Sequence, residues 1–142
     1  MRLMVIVKAD KDSEQGAMPD EKMLADMGNF NDELVNAGLM RAGEGLHPSA
    51  KGKRIRFTGD QRTVIDGPFS ETKELIAGFW IVEMASMDEA IQWFKRAPMG
   101  GDTELEIRPV FEAADFGEEF TPELRAQEDR QRAAIEALEQ KK

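Results

Sequence analysis

Two stretches of this chain, Leu3–Val7 and Ala77–Met84, are apolar on both sides of an extended backbone, and they constrain the fold more than anything else in the sequence. Side chains of a strand alternate at period two. Leu3, Val5 and Val7 therefore share one face and Met4 and Ile6 the other; in the second stretch Phe79 and Ile81 oppose Trp80, Val82 and Met84. A strand of this kind needs cover above and below, because each large apolar side chain withdrawn from water contributes about 1.5–3 kcal/mol.

The remaining segments supply candidate cover. Asp10 to Ala17 is polar and reads as a loop leading to Pro19. From Asp20 to Ala37, Met23, Met27, Phe30 and Leu34 recur at helical spacing, widened by Leu24 and Val35, and Gly38 sits where a left-handed residue closes a helix. The methionines of that stripe read as adaptable packing rather than a cofactor box. Leu39–Gly45 reads as a strand, and Lys53–Thr58 and Arg62–Asp66 as a hairpin around Gly59-Asp60. Ser86 and Glu89 make a capping box for a helix that buries Ala90, Ile91 and Phe94 and stops before Pro98. Glu104–Phe111 is a last strand, and Thr121-Pro122 opens a final helix whose apolar anchors are Leu124, Ile135 and Leu138.

The order strand, helix, strand, hairpin, strand, helix, strand matches a ferredoxin-like split βαβ plan with an inserted β-hairpin: an α+β domain over residues 1–111, then an acidic extension with a helix over 112–142. Two helices cover one face of such a sheet. The expectation is that Trp80, Val82 and Met84 form the uncovered patch, and that a second copy of the chain shelters it in a two-fold homodimer. The rival cover is the C-terminal helix, whose apolar content is sparse.

Composition limits the partners. The net charge of −9 disfavours nucleic acid, and the basic stretch Lys51, Lys53, Arg54, Arg56 and Arg62 reads as the solvated face of the hairpin. The chain has no cysteine, which removes thiolate chemistry and disulfides. No apolar run approaches the ~18 residues of a membrane span, and the short apolar start does not read as a signal peptide, so a cytoplasmic location is expected. No metal-ligand spacing and no phosphate-binding glycine loop is visible, and no cofactor is expected.

The most distinctive segment is Val64-Ile65-Asp66-Gly67-Pro68-Phe69-Ser70-Glu71-Thr72-Lys73-Glu74, followed by Ile76-Ala77-Gly78-Phe79. Glycine and proline end a strand there, and three charged groups crowd the start of the next one. This segment resembles the DGPF signature of the YCII-related protein family. The likeness extends to Ala42-Gly43-Glu44-Gly45-Leu46, Asp88-Glu89-Ala90 and Glu106-Ile107-Arg108-Pro109-Val110. It implies a ferredoxin-like fold that dimerises into an α+β barrel, in a mainly bacterial family. Some members are similar to proteins that accompany alternative sigma factors, which implies a regulatory role as the alternative to small-molecule chemistry. The family's histidine–aspartate pair does not carry over: the first long helix has no histidine, and the single one, His47, lies in a loop.

Several residues are candidates for a site. Asp66 with Glu74 (or Glu71) could form a carboxylate pair for general acid–base work, although Asp66 could equally cap its own turn while Lys73 neutralises Glu74. Glu106 and Arg108 leave one strand on the same side, as a pocket floor or as a structural ion pair. His47 could move protons near neutral pH, or be an idle loop residue. Two functions follow: a small-molecule site, with Asp66 and Glu74 catalytic and Lys73, Glu106, Arg108 and His47 binding, or a non-catalytic interaction module.

Overall fold

The structure of the protein, a computed structural model, describes residues 1–141 and every side chain among them except that of Lys73. The chain divides into two compact units, Met1–Val110 and a second one from Phe111 onward.

In the first unit four strands form one antiparallel sheet: β1 (Arg2–Lys8), β2 (Met40–Gly45), β5 (Ile76–Glu83) and β6 (Leu105–Pro109). Their spatial order, β2-β5-β1-β6, is the ferredoxin-like one. β3 (Lys53–Thr58) and β4 (Gln61–Asp66) pair only with each other, turning through Gly59 at a φ of 58°. All of β3 is exposed, so the basic stretch is indeed solvated.

Helix α2 (Glu21–Asn36) starts where the Asp20 carboxylate accepts the Met23 N–H at 2.8 Å. It stops at Gly38, whose φ of 75° lets the Leu39 and Gly38 amides return to the carbonyls of Leu34 and Val35. Helix α3 (Met87–Phe94) starts at Ser86, whose hydroxyl accepts the Glu89 N–H at 3.1 Å. The returning Glu89 carboxylate takes the amide of Ala85 rather than that of Ser86, at 2.8 Å. One element departs from the sequence reading. The Asp10–Ala17 stretch holds a short helix, α1 (Lys11–Glu14), closed by reciprocal bonds between Asp10 and Ser13. Its single turn buries nothing, so it carries no apolar period to detect.

The core joins Leu3, Val5, Trp80 and Val82 of the sheet to Phe30 and Leu34 of α2 and Ala90 and Phe94 of α3. The Phe30, Trp80 and Phe94 rings interlock with centroids 5.1–6.1 Å apart. The expected orientation of the sheet is thereby corrected. Trp80, Val82 and Met84 are the helix-covered face, at most 5% exposed, and not the open one. Alternation separates two faces of a strand but does not say which receives the helices. The opposite face pairs Met4 with Ile81 and Ile6 with Phe79, then Met4 with Arg108 and Ile6 with Glu106 on β6.

In the second unit a 3-10 segment (Ala113–Glu119) leads to α4 (Pro122–Gln140), capped by the Thr121 hydroxyl on the Leu124 amide at 3.2 Å. Phe111, Phe116 and Phe120 stack in series, and α4 buries no residue. Among the described residues no helix is long and apolar enough to cross a membrane.

Candidate functional site

The DGPF segment is a junction before it is anything else. The Gly67 N–H donates to the Gly52 carbonyl at 3.0 Å, and the Phe69 N–H donates to the Ser49 hydroxyl oxygen at 3.0 Å. A side chain at residue 67 would fall on the Ser49 carbonyl, which is why glycine stands there. Ser49 in turn donates to the Glu14 carboxylate through both its amide, at 2.9 Å, and its hydroxyl, at 2.5 Å. The Arg54 guanidinium lies 3.8 Å over the centre of the Phe69 ring. Residues 14, 49, 54 and 69, far apart in sequence, are clamped together.

Around this junction the candidate residues separate. Asp66 accepts from Lys53 across the hairpin at 2.6 Å; its side chain is 74% exposed and lines none of the clefts described below. Its partner is thus an ammonium group rather than the amides of its own turn. Glu74 borders two clefts, one of about 510 Å³ with His47 and Arg54, and one of about 570 Å³ with Lys8, Asp102 and Glu106. Glu74 therefore lines one cleft together with His47 and another together with Glu106, while Asp66 lines neither. The side chain of Lys73 lies outside the described residues.

Glu106 anchors a three-member ion cluster on the face of Ile6 and Phe79. Lys8 approaches it at 3.1 Å and Arg108 at 3.8 Å. Lys8 is the sheltered member, its side chain 18% exposed against 71% for Arg108. The Glu106–Arg108 pair thus has a third partner, and the cluster is a partly solvated ion network of modest worth, up to ~1 kcal/mol per exposed pair.

A third, larger cleft was not singled out from sequence. It lies between α2 and the end of the sheet and has a volume of about 790 Å³. Val7, Met23, Met27, Ala77 and Met99 give it apolar walls, and Lys8, Asp10, Asp102 and Thr103 give it a polar mouth. Through Val7, Met27, Ala77 and Met99 it adjoins a second, smaller recess of about 250 Å³, itself open to solvent, that reaches Asn31, Gly45, Gly78 and Trp80. The Trp80 indole N–H donates to the Asn31 side-chain oxygen at 2.9 Å. The signals in the sequence were the glycines of Gly43-Glu44-Gly45 and Gly78, and one asparagine on the apolar side of α2. Among the described residues no group of three or more His, Asp or Glu side chains is gathered so as to hold a metal ion.

Residues 1–114 match the family model of the YCII-related domain. An uncharacterised protein of Rhizobium meliloti (strain 1021) is 30% identical over 93 residues, which is 64% of this chain and 75% of the relative. Among solved structures, the chain is similar to 5-chloro-2-hydroxyhydroquinone dehydrochlorinase of Burkholderia phenoliruptrix in complex with 2,5-dihydroxybenzoquinone, with a TM-score of 0.43 and 16% identity over 80% of this chain and 98% of that one. With its first 114 residues matched, the chain belongs to the family of YCII-related domain proteins.

Proposed function

We propose that this YCII-related protein binds a small organic molecule in the cleft between α2 and the sheet, as a homodimer. The observation that carries the reading is the cleft's make-up: about 790 Å³, methionine and aliphatic walls, and a few polar groups gathered at one mouth. That is the volume and chemistry of a ligand pocket. Lys8, Thr103 and the neighbouring Glu106 are the groups at hand to orient a carbonyl or hydroxyl, or to act on it. Supporting the second copy are Met4, Phe79 and Ile81, half-buried on the face that the core formed with α2 and α3 does not use, around an Ile6 already buried within the chain.

A metabolite screen by thermal shift tests the binding. A ligand at a hundredfold excess over its Kd stabilises by ~2.7 kcal/mol, readily seen as a rise in melting temperature. At least one compound raises the melting temperature of wild type and of Asp66→Asn, and fails with Met23→Arg, which places a charge on the cleft wall. No shift with any compound, or the same shift with Met23→Arg, rejects the reading. Sedimentation at micromolar concentration tests the homodimer, and a lone subunit rejects it.

A second reading, as a protein-interaction module, rests on the hairpin. Ile55, Phe57 and Val64 share one of its faces and are 59%, 69% and 61% exposed. A partner captured by wild type and equally by Phe57→Asp would count against it.

A further inference from the structure

We infer that the smaller recess adjoining this cleft takes one planar, neutral ring carrying a hydrogen-bond acceptor, laid on the bare backbone of Gly45 and Gly78 and held by the Asn31 amide. The inference rests on the cleft reading above and names its ligand class.

Strand register sets the floor. Gly43 stands opposite Trp80 and Gly45 opposite Gly78, so these glycines face the helix side of the sheet with Trp80. Deeper along that side the paired positions carry Val5 against Trp80 and Leu3 against Val82, and the core fills. At Gly45 and Gly78 two facing positions lack side chains, and the recess opens over peptide planes.

The three glycines do not have the same reason to be there. A Cβ on Gly78 would lie 2.8 Å from the Glu44 carbonyl oxygen, so close strand approach demands glycine. A Cβ on Gly43 would lie 3.3 Å from the Trp80 ring and closer still to the Met40 methyl. Gly45 has no such reason: its φ is not positive, and a Cβ there meets nothing within 4 Å. Neither conformation nor packing requires glycine at residue 45. Gly45 is solvent-exposed on the edge strand and lines the recess, so a long side chain there would stand at its rim and narrow it.

The walls point to a ring. Trp80, Met27 and Met99 surround the floor, and methionine sulfur and indole both make favourable contacts with aromatic rings. The recess holds about 250 Å³. A dry protein cavity of roughly 150 Å³ accepts benzene, so one substituted ring fits. The polar contact is fixed by chemistry. An indole N–H only donates, so Asn31 must present its oxygen to Trp80, and its NH2 is left to donate elsewhere. Among the described residues that NH2 has no protein acceptor and is not a buried unsatisfied group, so it is open to water and free to donate to a ligand oxygen that displaces the water. At the mouth, Asp10, Asp12 and Asp102 outnumber Lys8 and Lys11, and Lys8 is already paired with Glu106. That balance disfavours an anionic ligand.

The test uses 4-hydroxyacetophenone, a neutral ring with a carbonyl acceptor, and its saturated counterpart 4-acetylcyclohexanol, with Kd measured by titration under NMR. The full-length wild type binds the aromatic probe at least tenfold more tightly than the saturated one. Gly45→Leu keeps the wild-type melting temperature and weakens the aromatic probe at least tenfold. Asn31→Asp, which keeps an oxygen for Trp80 and loses the NH2, weakens it about tenfold while the Trp80 indole N–H resonance stays in place. Equal binding by Gly45→Leu, or no preference for the planar ring, overturns the inference. Probe binding blocked by Met23→Arg but not by Gly45→Leu removes the recess and leaves the cleft. A wild type that takes neither probe overturns the inference, and the metabolite screen then decides the cleft independently.

Discussion

Replacing Gly67 by alanine isolates what the DGPF segment does. The added methyl group would fall on the Ser49 carbonyl and lie 3.2 Å from the Gly52 carbonyl oxygen, both backbone atoms that cannot rotate away. Either the Asp66–Phe69 segment or the Ser49–Lys51 turn must move. The bonds between them are Gly67 N–H to Gly52 and Phe69 N–H to Ser49, each 3.0 Å long. Losing both removes ~1 kcal/mol apiece, and the overpacking itself costs about 1–3 kcal/mol. The expected loss is about 3–5 kcal/mol, a large share of a typical 5–15 kcal/mol. Urea denaturation followed by far-ultraviolet circular dichroism measures it, with an unchanged m value showing that the surface exposed on unfolding is the same. Gly52→Ala is the internal control: its Cβ would sit 3.3 Å from the Ser49 oxygen, and less than ~1 kcal/mol is expected. A Gly67→Ala loss below ~0.5 kcal/mol would refute the clamp and leave the signature without its structural reason.

Asn31→Ala leaves the partly buried Trp80 N–H without an acceptor and is expected to cost about 1–3 kcal/mol by the same denaturation assay. Leu34→Ala, at a position with no exposure, should cost about 2–5 kcal/mol, and a smaller loss would mean that α2 is not the lid of the core. Asp66→Asn touches only the exposed Lys53 pair, so stability should change by less than ~1 kcal/mol and ligand binding should be retained. A binding defect in that variant would return Asp66 to the site.

The strands and the long helices were legible because each is written by a local rule. Period two marks β1 and β5, helical spacing marks α2, and Ser86, Thr121 and Gly38 mark helix ends through their own bonds. α1 was not legible, since four residues with no buried side chain leave no pattern beyond the Asp10/Ser13 cap. The facing of β5 was read the wrong way round. Both of its sides are apolar, and only the packing of Phe30 and Phe94 on Trp80 decides which is inner.

The site was less legible than the fold. Charge drew attention to Asp66, Lys73, Glu74, Glu106 and Arg108, yet Asp66 is spent on Lys53, and Glu106 is shared between Lys8 and Arg108. A cleft is made by what is missing as much as by what is present. Gly45 and Gly78 are thirty-three positions apart, and nothing in the sequence says that they face one another until the register of β2 on β5 is known.

The most direct measurement is a map of amide and side-chain shifts in nitrogen-15-labelled protein as 4-hydroxyacetophenone is added. Shifts gathered at Met27, Asn31, Gly45, Gly78 and Met99 are the predicted result. Shifts gathered at the hairpin or the Glu106 cluster instead, or none at millimolar probe, would contradict a ring site in the recess under α2.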